Sequence, residues 1–133
     1  MNASLHALIV EDLDFWQDAL SEVLIDAGFQ VCTASSYADA LDALARDKFQ
    51  LAVIDPVLDD ADRRNRDGLR VLQHILDQQP GIHTLVVTAS DPNHIRREVN
   101  EISADTPLLY KDRWDDDQFL DTVRELLKTE RET

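Results

Sequence analysis

Five polar residues stand where short apolar runs end. Glu11 and Asp12 follow the run 5–10, Asp55 follows Leu51-Ala52-Val53-Ile54, Thr88 follows the run 82–87, and Lys111 follows Leu108-Leu109-Tyr110. Short runs rich in branched side chains read as strands buried on both faces. If the strands are parallel, their carboxyl ends share one rim, where such sheets bind ligands. Three carboxylates, a hydroxyl and an ammonium then converge. Two carboxylates ~4 Å apart repel by about 4 kcal/mol at an effective dielectric of about 20, so three together need a proton or a cation. An all-oxygen set with room for water suits Mg²⁺, a hard ion that often bridges to phosphate. Lys111 and Thr88 are of the types that hold the remaining phosphoryl oxygens. Pro56 biases the residue before it toward extended geometry, so Asp55 should be the last residue of its strand, and this central carboxylate is placed as a nucleophile that forms an acyl phosphate.

The elements that must carry these residues follow from periodicity. The apolar run 5–10 is the first strand. Trp16, Ala19, Leu20, Val23, Leu24 and Ala27 recur at helical spacing, with Asp14 and Gln17 patterned as a capping box and Gly28 as the stop. Phe29-Gln30-Val31-Cys32-Thr33 is a second strand. Ser36 caps a helix whose stripe is Tyr37, Ala40, Leu41, Leu44 and Ala45. After the third strand comes a polar loop, 56–67, then a helix from Gly68 that turns Leu69, Leu72, Ile75 and Leu76 inward. Pro80-Gly81 marks a turn before the fourth strand. Asp91-Pro92 opens a helix with only a narrow stripe of Ile95, Val99 and Ile102, so this helix is expected to be the least firmly held. Pro107 suits an edge strand at 108–110. The last helix has Asp115, Asp116 and Asp117 at its start and Arg124, Lys128 and Arg131 toward its end, which matches its dipole. Its inward face is Phe119, Leu120, Val123, Leu126 and Leu127. Strands alternating with helices imply an α/β fold with a doubly wound, five-stranded parallel sheet.

At 133 residues the chain is one domain's worth, expected as a single unit over 1–133 with an ordered core at about 5–128. The net charge of −14 argues against direct nucleic-acid binding, which needs Lys and Arg to neutralise phosphates. No run approaches the ~20 apolar residues of a membrane span, and the start lacks the basic-then-apolar order of a signal peptide. The lone Cys32 fits a reducing compartment, so a cytoplasmic location is expected. The polar tail 129–133 reads as a terminus or as the stump of a linker.

The motifs Ile9-Val10-Glu11-Asp12, Leu51-Ala52-Val53-Ile54-Asp55, Asp67-Gly68-Leu69, Val86-Val87-Thr88-Ala89 and Tyr110-Lys111 resemble, in order and near-family spacing, the receiver domains of two-component response regulators, especially the single-domain chemotaxis regulators. The resemblance covers nearly the whole chain. It implies the flavodoxin-like strand order 2-1-3-4-5 and a protein that is not an enzyme beyond self-catalysed phosphoryl transfer. Asp55 would accept a phosphoryl group from a sensor histidine kinase or phosphotransfer protein. Asp12, Asp55 and the Val57 carbonyl would bind Mg²⁺, with Glu11 acting largely through water. Lys111 would hold a phosphoryl oxygen and Thr88 would move toward it as the switch. The fourth helix, fifth strand and last helix would present the output surface, to an effector domain, a separate output protein or a second copy in a homodimer.

Three departures from the family pattern stand out. The loop from Asp55 to Asp67-Gly68 is a few residues longer than usual, with Asp59 where a proline is customary. Asp112, and not a cis proline, follows Lys111. Leu108 occupies the place of the switch aromatic, while Tyr110 is adjacent to Lys111 and should face the other way.

Other features carry less chemistry. In the loop, Gly68 as a calcium-loop glycine would put Arg63 and His74 at the first and last ligand positions, so that pattern fails. Arg63, Arg64 and Arg66 read either as a basic contact site or, preferably, as solvated charges that pair locally. His6, His74, His83 and His94 lack ligand spacing. Trp16 and Trp114 read as packing residues. A haloacid-dehalogenase-type phosphatase would need a second aspartate at position 57, which is Val57. The remaining alternative is a degenerate receiver that docks partners without phosphorylation.

Overall fold

The computed structural model describes residues 5–89 and 92–128. Strands β1 (Leu5–Val10), β2 (Phe29–Ala34), β3 (Leu51–Ile54), β4 (His83–Thr88) and β5 (Leu108–Tyr110) alternate with helices α1 (Asp14–Asp26), α2 (Tyr37–Arg46), α3 (Asp67–Gln78), α4 (Pro92–Ile102) and α5 (Asp116–Lys128). The strands pair in parallel in the order β2-β1-β3-β4-β5. The order reverses between β1 and β3, so the carboxyl ends of those two strands flank the crevice.

Continuous apolar strands are explained by two cores. Leu8, Val10, Ala52, Ile54 and Val86 face α2, α3 and α4, where Leu44, Leu72, Ile75, Ile95 and Val99 meet them. Ala7, Ile9, Leu51, Val53, Leu85 and Val87 face α1 and α5, against Leu20, Leu24, Phe119 and Val123. Each large side chain buried this way stabilises the fold by about 1.5–3 kcal/mol relative to exposure. Pro107 precedes β5, which is indeed an edge strand.

Most of the local expectations hold. Gly28 takes φ +100° and ends α1, while the Ser36 hydroxyl accepts from the Asp39 N–H at 3.1 Å. The Asp115 carboxylate accepts from the N–H groups of Asp117 (2.8 Å) and Gln118 (3.1 Å) at the start of α5. Three expectations fail. No capping box forms on α1: Leu13 stands at the cap, and the Gln17 amide donates to the Glu11 carbonyl (2.6 Å) and the Ser35 hydroxyl (3.0 Å). Those strand-end acceptors outcompete a local cap. In α2 the buried alanines are Ala40 and Ala43, while Ala45 is exposed. Strand β3 ends at Ile54, although the Asp55 N–H still donates to the Val10 carbonyl at 2.9 Å. The expected cap Asp91 and the expected helix-end cation Arg131 lie outside the described residues.

Candidate functional site

Three strand ends deliver the site. Glu11 and Asp12 leave β1, Asp55 leaves β3, and Lys111 opens a 3-10 turn (Lys111–Arg113) after β5. Glu11, Asp12 and Asp55 each offer a carboxylate oxygen within 4.8 Å of the others. The Lys111 ammonium bridges two of them, donating to Glu11 Oε1 and to Asp55 Oδ2 (2.8 Å). Glu11 Oε2 accepts from the Leu13 N–H (3.2 Å), and Asp55 Oδ1 accepts from the Val57 N–H (2.9 Å). Asp12 is only partly buried, and its Oδ2 accepts from the Asp60 N–H at 3.1 Å. A cavity of about 220 Å³ opens here, lined by Asp12, Asp55, Val57, Asp60, Arg63 and Lys111 among others.

Electrostatics make this cluster demanding. Burial, with the Asp55 charge beside it, pushes the Glu11 carboxyl up to about 8. Burial also raises Asp55, against the pull of Lys111. For Lys111, desolvation alone would lower the ammonium, but Asp55 and Glu11 outweigh it and hold the group above its ordinary value. When all are ionised, three clustered carboxylates facing one ammonium carry an excess of negative charge, which a proton or a cation must offset. An all-oxygen donor set with that excess fits a hard divalent cation.

The long loop is more ordered than a solvated run of charges. Successive turns link Asp62 N–H to Asp59 O (2.9 Å) and Asn65 N–H to Asp62 O (3.0 Å). Asn65 Oδ1 accepts from both Leu58 and Asp67 N–H groups, which ties the loop's two ends together. Local pairing holds for Arg64 with Asp62 (3.5 Å), an exposed contact. It fails for Arg66, which leaves the loop to meet Glu98 on α4.

Comparison with known proteins agrees with this geometry. The profile of the response regulator receiver domain family matches residues 7–129. This chain belongs to that family. No curated protein matches the chain significantly. Among solved structures, a receiver domain protein (CheY-like) from Methanospirillum hungatei JF-1 superposes with a TM-score of 0.82 at 22% identity, covering 95% of each chain. The signal receiver domain of an HD domain-containing protein from Pseudomonas fluorescens Pf-5 gives 0.84 at 20% identity, covering 96% of this chain and 90% of the other. A BeF3-activated receiver domain, DrrB, gives 0.80 at 20% identity, covering 96% and 100%. At these identities the structural likeness speaks for the fold.

Within the receiver fold, the residues that the family resemblance leads us to expect at the switch have clear places. Thr88 is fully buried at the end of β4 and stands in register with Tyr110 on β5. Leu108 packs into the core shared with α3 and α4. Two residues on, Tyr110 shares that face of the strand, and its hydroxyl accepts from Arg96 of α4 at 2.7 Å. Lys111 points the other way, as expected, into the carboxylates. The receiver's aromatic group beside α4 is therefore Tyr110, placed nearer the rim than Leu108. Trp16 is the residue whose part in the site was not anticipated: the Lys111 ammonium lies 5.0 Å from the centre of its ring. An aromatic at helical spacing gave only a packing signal. Among the described residues, no helix is long and apolar enough to cross a membrane.

Proposed function

We propose that this receiver is a phosphorylation-switched signalling module, a single domain in which Asp55 accepts a phosphoryl group from the phosphohistidine of a sensor histidine kinase or phosphotransfer protein. The observation that carries it is the Lys111 bridge between Asp55 and Glu11 inside a cluster of three carboxylates. A buried ion network of this kind is an expensive way to stabilise a fold, and its open side faces a cavity.

An Asp55 oxygen attacks phosphorus, the phosphorus–nitrogen bond to the donor imidazole breaks, and the imidazole keeps the electron pair. Asp55 becomes an acyl phosphate. The Val57 N–H orients the Asp55 carboxylate before attack. Lys111 exchanges its contact with the Asp55 carboxylate for a phosphoryl oxygen, and Thr88 is drawn toward another. Asp12, Asp55 and the Val57 carbonyl would hold Mg²⁺, which would supply positive charge to offset repulsion of an anionic donor. Glu11, whose two oxygens accept from Lys111 and the Leu13 N–H, would act on such an ion through water. The inward pull on Thr88 then biases α4 and β5, changing the α4–β5–α5 surface offered to an output partner or a second copy. The domain works in the cytoplasm and turns over no other substrate.

The test is mass spectrometry after incubation with Mg²⁺ and a small phosphodonor such as acetyl phosphate. One base-labile phosphoryl unit on Asp55 is expected, absent after chelation and in Asp55→Ala. No adduct from a small donor or from any histidine kinase would leave the docking-only alternative in its place.

A further inference from the structure

The family's usual residues leave two charged side chains of this cavity, Asp60 and Arg63, without an assignment, and only Arg63 is a cation. Arg63 lines the same space as Asp12, Asp55 and Lys111, yet it comes from the long loop between β3 and α3. Every neighbouring arginine has a carboxylate: Arg64 pairs with Asp62, Arg66 with Glu98, and Arg70 with Asp67. Among the described residues, the Arg63 guanidinium has neither an ion pair nor a hydrogen-bond partner, and it is exposed. Its backbone is nonetheless held. The Asp60 N–H sits on Asp12 Oδ2, the turn Asp59–Asp62 precedes Arg63, the turn Asp62–Asn65 contains it, and Arg66 Nη1 donates to the Arg63 carbonyl at 2.6 Å.

An ordered backbone that presents an unpaired guanidinium at an anion-transfer site suits a planar, forked donor set. Guanidinium groups bind phosphate oxygens in pairs, with a geometry an ammonium cannot reproduce. We propose that Arg63 is a phosphoryl-binding residue of this receiver: a guanidinium supplied by the extended β3–α3 loop that contacts the phosphoryl group on Asp55 from the loop side of the cavity. The extra loop residues thereby give this receiver a second cationic contact beside Lys111. This inference rests on Asp55 being the phosphoacceptor.

The rival role for Arg63 is a plain counter-charge to Asp12 and Asp55, and the two roles separate experimentally. Beryllium fluoride with Mg²⁺ serves as the phosphoryl mimic, followed by tryptophan fluorescence, with Mg²⁺ alone titrated in parallel. Arg63→Ala is expected to weaken beryllofluoride binding about tenfold while Mg²⁺ binds as tightly as before or more tightly, because a cation has been removed. Arg63→Lys is expected to recover only part of the loss, since it keeps the charge and not the fork. Unchanged beryllofluoride affinity in Arg63→Ala, or full recovery in Arg63→Lys, would overturn the proposal and leave the phosphoacceptor assignment standing. Failure of the unaltered protein to bind beryllofluoride would remove both. Arg63 is exposed, so the variants are expected to keep the parent's circular dichroism and melting behaviour.

Discussion

Arg66 Nε lies 3.1 Å from both carboxylate oxygens of Glu98, so the loop beside the phosphoacceptor is tied directly to α4. The same guanidinium donates to the Arg63 and Asn65 carbonyls, which makes Arg66 the anchor of the loop's second half. Both partners are about a third exposed, so the pair adds roughly 0.5–1 kcal/mol or less to global stability. Its effect is expected to be local, because among the described side chains of α4 only Ile95 and Val99 sink fully into the core. Glu98→Ala should therefore leave the denaturation midpoint almost unchanged while amides of α4 exchange hydrogen faster. Exchange equal to that of the parent would mean that the contact does not restrain the helix.

Gly68 is fixed by a close approach of two backbones. A Cβ there would lie 1.8 Å from the Asp55 carbonyl oxygen and 2.7 Å from both the Asp55 carbonyl carbon and Pro56 Cα. The Gly68 N–H donates to the Pro56 carbonyl at 3.0 Å, so α3 starts against the strand end that carries the acceptor. In an ordinary helix, alanine would gain about 1 kcal/mol over glycine. Here the clash is with main chain and no flexible side chain can yield, so Gly68→Ala should cost about 3 kcal/mol or more. Urea denaturation measures the loss, and a variant as stable as the parent would show that the helix start can shift freely.

Proton linkage follows from the carboxylates. Glu11 in the folded protein is held up to about 8 by burial and by Asp55, and Asp55 is raised as well. An unfolded glutamate titrates near its ordinary value of about 4.3. The folded state therefore binds the proton more tightly, and its contribution to stability is complete below that ordinary value. It is lost as pH rises toward 8, by at most about 1.4 kcal/mol per pH unit for one group. In the presence of a chelator, stability should fall between about pH 5.5 and pH 8, and Glu11→Gln should flatten the fall. Added Mg²⁺ should stabilise most at the alkaline end, where the ligands are already ionised. Parallel slopes for the parent and Glu11→Gln would assign the linkage to another group.

The strand ends of this site were readable in the sequence because a charge directly after a buried apolar run has few structural excuses. Glu11, Asp12, Asp55 and Lys111 accordingly meet where the sheet order reverses. What could not be read was partner choice across the fold. Gln17 carried a capping signal, yet Glu11 O and Ser35 Oγ were better acceptors, and both come close only when β1 and β2 pair. The loop's charges were plain, but nothing local distinguishes Arg64, which pairs with Asp62, from Arg66, which pairs with Glu98 on another helix. Ala43 and Ala45 look alike in composition, and only the orientation of α2 on the sheet buries the first.

Trp16 shows the same limit and offers an intrinsic probe. Its ring lies 5.0 Å from the Lys111 ammonium on one side and edge-to-face with Trp114, centroids 5.3 Å apart, on the other. Trp114 in turn packs against Phe119 of α5 at 5.1 Å, so it sits one ring further from the charge. A cation held over an indole contributes about 0.5–2 kcal/mol, and moving it changes the field on that ring first. Adding Mg²⁺ and a phosphodonor should draw Lys111 toward the new phosphoryl oxygens and alter Trp16 emission. The change is expected to persist in Trp114→Phe and to disappear in Trp16→Phe. If it instead followed Trp114, the displacement reported by fluorescence would be one of α5 packing and not of the Lys111 ammonium.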